Sequence, residues 1–536
     1  MPRAFHLLLL SMLASAGTAT AATTDPLQPL PAIISYRQAL PPGIASELNL
    51  LRVPEGVVAS GVVLPSIRSV ALTAPRALLE LIARDPRVLA VRPQRRLKLD
   101  LYGSVAQMNA RGVEIAEEVG PKGCAVERPG VTGAGVTVAV IDSGIFSAHP
   151  ALLGRVTAGR NFEFSQLQRQ SGGVLTAEEW DQYAEATGPS ALQDEVGHGT
   201  HCAGIIGGDG TGASGLDLRG VAPGVNLVSL KIASAANGIV EDIGFEANAV
   251  MAIDYLVRHR EDLGNVRVAS NSWGLLEEEF QAPLLGPTDF DPVKLAVQNA
   301  VAENIVMVFA AGNDGGGPDQ DTLRPVPTAM EEVITVASAC KADHGSCESG
   351  HVNSFTSRGN GVDIAAPGDQ ILATMSPASV LAPLGQATEG DYFGDSPQDQ
   401  VQNRAFYMRL SGTSMAAPHI AGVAALLLEA APELSPAQLR ELLVSTATDM
   451  AVEGDPELVA GYDKASGYGL VNVRKALAAS VGAPLGDVCP SSTPVPGDPS
   501  PTASSGGGAS GGATLLLLGA LAALRRYRQP RKLQLH

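Results

Sequence analysis

At 536 residues, with 45% apolar and 17% charged side chains, the chain is long enough for several folded units and too apolar to be disordered throughout. Its formal charge of −18 argues against a general nucleic-acid binder, which needs a basic patch to meet phosphate. Acidity of this kind serves solubility, and acid-rich loops can also hold calcium.

The first elements read as a targeting segment. Met1-Pro2-Arg3 precedes the apolar stretch Leu7 to Ala16 and then Ala19-Thr20-Ala21-Ala22. A basic start, a short apolar core and small residues at the break make a secretory signal peptide, residues 1–21. Export makes disulfides permissible. Of the five cysteines, Cys340 and Cys347 are near enough to close a small loop, and Cys124 and Cys489 flank the long segment between them. We read those as two bridges, although four cysteines leave three connectivities open, with Cys202 as a free thiol.

From Pro31 to Leu101 the pattern is strand, helix, strand. Ala32 to Tyr36 reads as a strand, and Leu78, Leu79, Leu81 and Ile82 form the apolar face of a helix begun by Ala74-Pro75. Val88 to Val91 reads as the next strand, after an Asp85-Pro86 turn. This order predicts a small α+β unit. From Gly135 to Val481 the chain alternates. Strands are predicted at Val136 to Ile141, Asn226 to Ile232, Val266 to Ser270, Ile305 to Ala310 and Val333 to Ala337. Helices are predicted at Ile243 to Val257 and Val293 to Ala302. Such alternation is the mark of an α/β fold with a doubly wound, mostly parallel sheet flanked by helices, which binds ligands at the carboxyl ends of its strands. Asp142 and Asn313 both lie just past a predicted strand end.

Three stretches carry nucleophile chemistry. In Ser411-Gly412-Thr413-Ser414-Met415-Ala416-Ala417-Pro418-His419 a small-residue loop runs into an apolar helix, so Ser414 sits at a helix start beside unpaired backbone N–H groups. A serine hydroxyl stays inert until a base takes its proton. Gly197-His198-Gly199-Thr200-His201 supplies a base, and Val140-Ile141-Asp142-Ser143-Gly144 supplies a carboxylate to orient it. A fourth stretch, Phe309-Ala310-Ala311-Gly312-Asn313-Asp314, places an amide after a strand. With Asp142, His198 and Ser414 following one another in that order along the chain and Asn313 between the last two, the four motifs resemble the subtilase (subtilisin-like) family of serine peptidases.

The resemblance implies that Ser414 attacks the scissile carbonyl, His198 takes and returns the proton, and Asp142 orients the imidazole. It implies an oxyanion hole from the Asn313 side chain and the Ser414 backbone N–H. It also implies a substrate-binding strand at Ser270, Asn271, Ser272, Trp273 and Gly274, with Ala310, Ala311 and Gly312 walling the pocket before the cut. Small residues there leave room for a large apolar side chain, while Trp273 stands where leucine is common and narrows the space. His201 matches a second, non-catalytic histidine. Cys202 resembles the free cysteine behind the catalytic histidine in proteinase K-like members, with no catalytic role. The N-terminal unit looks like an inhibitory propeptide that chaperones the enzyme and plugs its cleft, with the cut between Leu99 and Ala110. The implied domains are residues 22–103 for the propeptide and 104–482 for the peptidase. A sedolisin-type peptidase shares the Ser-Gly-Thr-Ser loop but uses a glutamate as base, and a non-catalytic binding protein would be expected to lose a motif.

No cofactor is implied for catalysis, and structural calcium is left open with its ligands unassigned. The aspartate that often follows His149-Pro150 as a calcium ligand is replaced by Ala151. Two acidic insertions offer other oxygen ligands: Phe162 to Asp194, with Glu178, Glu179, Asp181 and Glu185, and Ser376 to Arg404, with Asp391, Asp395 and Asp399. Residues 483–512 read as a Pro/Ser/Gly linker. Ala513 to Leu524 is then apolar, and Arg525, Arg526, Arg528, Arg531 and Lys532 follow. This tail, residues 513–536, resembles the Gly-Gly C-terminal sorting signal of Gram-negative bacteria, with a plain membrane anchor as the alternative. The expectation is a self-processing serine endopeptidase, secreted or displayed at the cell surface of a Gram-negative bacterium. It would act as a monomer on proteins and peptides, bind no nucleic acid, and meet a membrane only through its unprocessed tail.

Overall fold

The structure is a computed structural model that describes residues 29–51, 60–99, 131–163, 173–211, 218–234, 244–275, 286–287, 290–317, 320–324, 326–340, 350–379 and 407–482. The signal peptide, the linker and tail, Cys124, Cys347, Cys489, Asp391, Asp395 and Asp399 lie outside the described residues.

The N-terminal unit contains β1 (Pro29–Tyr36), α1 (Ile44–Asn49), β2 (Ser60–Leu64), β3 (Ser69–Pro75), α2 (Arg76–Ile82) and β4 (Val88–Pro93). Its strands are antiparallel, in the order β4-β1-β3-β2. The apolar residues run continuously because both faces of this sheet are buried. Ala32, Ile34, Val63, Val70 and Leu72 pack with Leu48, Leu78, Leu79 and Ile82 of the two helices. The alternate positions, Ile33, Val62, Leu64 and Ala71, point the other way and join the core of the larger unit.

The strand β5 (Arg96–Leu99) ends the N-terminal segment, and the larger unit follows as β6 (Thr137–Asp142), β7 (Val156–Asn161), β8 (Val174–Leu175), α3 (Ala177–Ala186), α4 (His198–Gly207), β9 (Asn226–Lys231), β10 (Gly244–Phe245), α5 (Glu246–His259), β11 (Val266–Asn271) and β12 (Trp273–Leu275). It continues with α6 (Pro292–Ala302), β13 (Val306–Ala310), β14 (Ile334–Ala339), β15 (Ile364–Pro367), β16 (Ile371–Thr374), β17 (Tyr407–Leu410), α7 (Thr413–Ala430), α8 (Pro436–Thr446) and α9 (Val473–Ser480). Seven strands form a wholly parallel sheet in the order β15-β14-β13-β11-β6-β9-β7. The five predicted strands are β6, β9, β11, β13 and β14, and the two predicted helices are α5 and α6. The edge strand β7 was not visible in the sequence, because its Val-Thr-Ala-Gly-Arg-Asn run is half-exposed and carries no apolar pattern.

The helix that follows Ser411-Gly412 is the centre of the core. Every residue of α7 from Thr413 to Leu428 is buried, between α4 on one side and β11, β13, β14 and β15 on the other. An all-round apolar helix is the form a fully enclosed one takes.

Besides the shared packing, polar contacts tie the units together. The acidic insertion lends β8 to the N-terminal sheet, where it pairs in parallel with β2 at Gly61–Val174 and Val62–Leu175. Ser66 N–H donates to Asp254 Oδ1 of α5 at 2.9 Å, and its carbonyl accepts from Asn299 Nδ2 of α6 at 2.7 Å. Three of the insertion's four named acids hold protein partners. Asp181 pairs with Arg258 (2.5 Å) and His259 (2.9 Å), Glu179 closes a capping box with Thr176, and Glu185 accepts from Tyr255 at 3.3 Å.

The entry to the larger unit is pinned by one carboxylate. Glu429, near the end of α7, accepts from the backbone N–H groups of Thr132 (2.7 Å), Gly133 (2.5 Å) and Ala134 (3.2 Å). In an inactive Ser414→Ala background, Glu429→Ala should lower the unfolding free energy by about 1–3 kcal/mol, the cost of stranding donors once held by a charged acceptor. A denaturant titration reads this, and an unchanged midpoint would show that water replaces the carboxylate freely.

Candidate active site

The strand β6 ends in Asp142, whose side chain is almost fully buried. Its Oδ1 accepts the backbone N–H of Ser143 (2.7 Å) and lies 2.7 Å from His198 Nδ1. A carboxylate can only accept, so the shared proton belongs to Nδ1. The ring's other nitrogen, Nε2, then carries the lone pair, and it is buried without a partner among the described residues.

The two glycines around His198 are steric requirements. Gly197 caps α4 at a φ of 92°, and a Cβ there would fall 2.3 Å from Ser379 Oγ and 2.4 Å from Met375 Sδ. Gly199 lets the helix press against the turn after β6: its added Cβ would meet the Gly144 carbonyl at 2.2 Å. That approach is what brings the imidazole onto Asp142.

Asp194, four residues before the helix, fixes its first turn. It accepts from Ser143 Oγ (2.9 Å), Val196 N–H (3.2 Å), Gly197 N–H (2.7 Å), Thr200 N–H (2.9 Å) and Thr200 Oγ1 (2.6 Å). Burial pushes its carboxyl pKa up, against the pull of those hydrogen bonds and the Lys231 charge. With five partners on its two oxygens, Asp194 clamps Ser143 to α4. The motif reading did not single it out.

His201 faces away. Its Nε2 donates to the carbonyls of Ile371 (3.1 Å) and Met408 (2.9 Å), which ties α4 to the β16–β17 hairpin. Burial drives its pKa down to about 3, so it is a neutral structural group.

Ser414 is the second residue of α7 and is fully buried. Its Oγ donates to the Ser272 carbonyl at 3.1 Å. Four residues on stands Pro418, which has no N–H to give back to the Ser414 carbonyl. That carbonyl is taken instead by Ser272 Oγ (3.0 Å) and by the thiol of Cys202 (3.5 Å), which sits one turn along α4 from His198. One missing hydrogen bond thereby links α7, α4 and the end of β11.

Asn313 lies past β13. Its Oδ1 accepts both the N–H (3.0 Å) and the hydroxyl (3.0 Å) of Thr413. A backbone N–H can only donate, so the atom facing Thr413 is the carbonyl oxygen, and the NH₂ end points the other way.

Of the expected substrate-binding residues, β12 pairs antiparallel with β5, matching Trp273 with Leu99, Gly274 with Lys98 and Leu275 with Leu97. On its other side β5 pairs with β10. The chain's own segment Arg96–Leu99 is therefore the middle strand of three. The Trp273 indole is fully buried in the core, edge-on to Phe309 at 5.4 Å. Ser270, Asn271, Ala310, Ala311 and Gly312 are also buried, and Asn271 Nδ2 holds the Ala269 and Val308 carbonyls.

Among the described residues, the group with ligand-type atoms within 4.8 Å of one another is Asp142, His198 and Cys202. Asp142 and His198 are already bonded to each other, and burial together with the Asp142 charge raises the Cys202 pKa well above that of an ordinary thiol. A protonated thiol is a poor metal ligand, so this donor set does not fit a cation. Cys340 is disulfide-bonded to a partner outside the described residues, and Cys202 is free.

Fold and side chains together describe an α/β protein of subtilisin-like architecture. A model of the subtilase family matches residues 133–469. The chain is 32% identical over 353 residues to serine protease AprX of Bacillus subtilis, covering 65% of this chain and 67% of that one. It is 30% identical to subtilisin E of the same species, covering 66% and 69%. It is 30% identical to fervidolysin of Fervidobacterium pennivorans, covering 69% of this chain but only 46% of that protein. The crystal structure of fervidolysin, described as a keratinolytic enzyme related to subtilisin, superposes with a TM-score of 0.55 at 24% identity, over 87% of this chain and 62% of the other. The chain belongs to the subtilase family and is a serine-type endopeptidase.

Buried and protonated, Cys202 should resist alkylation by iodoacetamide at pH 8 in the native protein and react only after denaturation. Peptide mapping of Cys202 would check this, and rapid native labelling would mean that α4 opens readily.

Proposed function

We propose that the chain hydrolyses peptide bonds of proteins through Ser414 as nucleophile, His198 as general base and acid, and Asp142 as the group that orients and stabilises the imidazolium. The observation that carries this reading is the buried Asp142–His198 pair at 2.7 Å, which leaves the Nε2 lone pair unengaged, on a helix whose next turn, at Cys202, reaches the Ser414 carbonyl at 3.5 Å. Rotation of the Ser414 hydroxyl from the Ser272 carbonyl toward Nε2 would activate it. Attack forms an acyl-enzyme, with His198 returning the proton to the leaving amine, and water then releases the acyl group by the same route. Charge on the tetrahedral oxygen would be met by the Ser414 N–H, a first-turn group without a helical acceptor, and by the Asn313 amide. Removing that amide in Asn313→Ala should cut kcat by about 10²–10³, a range established on a subtilisin, with little change in KM. Steady-state kinetics would decide, and an unchanged kcat would remove Asn313 from the oxyanion site.

We read residues 22–103 as an inhibitory propeptide, because its end fills the slot where an extended substrate would add a strand. The strand β5 runs toward Ser272, and its pairing ends with Leu99 opposite Trp273. The maturation cut then falls in the first few residues after Leu99, at the near end of the range 99–110. The signal peptide and the apolar–basic tail support export and transfer to the cell surface. Intact mass before and after fluorophosphonate labelling tests the whole reading. Wild type should lose the N-terminal unit and gain one adduct, while Ser414→Ala should stay uncut and unlabelled. A folded wild type that remains full length and unlabelled would make the N-terminal unit a permanent domain and the nucleophile assignment wrong.

A further inference from the structure

The strand β5 is preceded by Arg95, whose side chain enters a recess of the larger unit and is 1% exposed. Its Nε donates to Glu246 Oε2 at 2.6 Å, and its Nη2 donates to Asp291 Oδ1 at 3.0 Å. Both carboxylates stand at helix starts: Glu246 opens α5, and Asp291 is the N-cap of α6, accepting from Val293 and Lys294 N–H groups. Burial pushes the Glu246 carboxyl pKa up against the pull of Arg95, while Asp291, despite its own burial, is held below the usual carboxylate range by Arg95 and Arg92 and by its place at a helix N-terminus, so the recess is one whose charge a cation stabilises. The backbone at Arg95 is also engaged, its carbonyl accepting the Glu246 N–H at 2.8 Å. Arg95 thus continues the strand pairing of β5 while its guanidinium fills the recess. Arg92 adds a second cation, at 3.1 Å from Asp291 Oδ2.

We propose that Glu246 and Asp291 form an acidic subsite of the substrate channel, which selects a basic side chain four residues N-terminal to the substrate residue that pairs with Trp273. The proposal rests on the reading of β5 as lying where substrate lies. Both cations of the recess come from the N-terminal unit, and both anions from the larger one. When the N-terminal unit leaves, two carboxylates remain with neither arginine, and their mutual repulsion is relieved by any chain that brings a guanidinium or ammonium to the same place. Arginine fits better than lysine, since its fork reaches both carboxylates at once, as Arg95 does. A substrate that extends far enough would gain from the recess, and a short one would not.

The test uses enzyme matured from the full chain and internally quenched peptides copying residues 90–104, with the natural Arg95 or with Arg95→Ala. Wild type should cleave the natural peptide with a kcat/KM about ten- to hundredfold higher, the worth of a charge-assisted hydrogen-bonded pair. In a Glu246→Gln/Asp291→Asn enzyme, which keeps side-chain shape and an N-cap, that preference should vanish. A tetrapeptide substrate beginning at Leu97 should be cleaved equally well by both enzymes, which shows that the double variant is folded and active. Equal cleavage of the two long peptides by wild type, or a preference that survives in the double variant, overturns the subsite and leaves Arg95 a latch of the N-terminal unit alone. Failure of the wild type to cleave any peptide refutes the peptidase mechanism itself, and failure of the double variant alone, on the tetrapeptide as well, overturns the subsite by making Glu246 and Asp291 necessary to the fold.

Discussion

Three neighbouring strands running in one direction set the geometry of the site. In the register of the sheet, Asn271 of β11 lies beside Ile141 of β6 on one side and Phe309 of β13 on the other. The residues just past that level are Asp142, Ser272 and, four positions beyond Phe309, Asn313. Parallel pairing therefore delivers the carboxylate, the carbonyl that meets Ser414 and the amide to the same edge of the sheet. An antiparallel neighbour would carry its residues to the opposite edge. The two buried helices α4 and α7 then need only present one end each at that edge, His198 from one and Ser414 from the other.

Much of this was legible because the chemistry is written locally. Gly-His-Gly-Thr-His contains both the proposed base and the glycines that allow its approach to Asp142, and the Gly-Thr-Ser run contains both the proposed nucleophile and its place at a helix start. The apolar strands β6 and β13 could be found because burial on both faces erases alternation. What stayed hidden are pairings between distant segments. Asp194 looks like one more loop acid until its five donors are seen. Arg95 lies 151 positions before Glu246 and 196 before Asp291, so no window of sequence joins them. The insertion's acids read as candidate calcium ligands because charge alone does not show that Asp181 already holds Arg258 and His259. Its strand β8 is two residues long and draws its identity from the N-terminal sheet it completes.

The N-terminal unit is embedded rather than apposed. One face of its sheet belongs to its own small core and the other to the core of the larger unit, so the two share apolar packing as well as salt links. Such an arrangement buries much apolar surface for so small a unit, at about 25 cal/mol per Å² of apolar area removed from water. Polar contacts at Arg95, Arg92 and Ser66 set register, while Ile33, Val62 and Ala71 supply the adhesion.

Pro418 sets local helix stability against the architecture of the site. Any other residue there would carry an N–H and let α7 close its ladder onto the Ser414 carbonyl. The helix would become more regular, and the hydroxyl of Ser272 and the thiol of Cys202 would be left to seek other acceptors in a dry interior. A substitution that improves the helix by every local rule would thereby loosen the cross-brace that seats the serine. Selection for thermal robustness and selection for a well-aimed hydroxyl pull this one position in opposite directions.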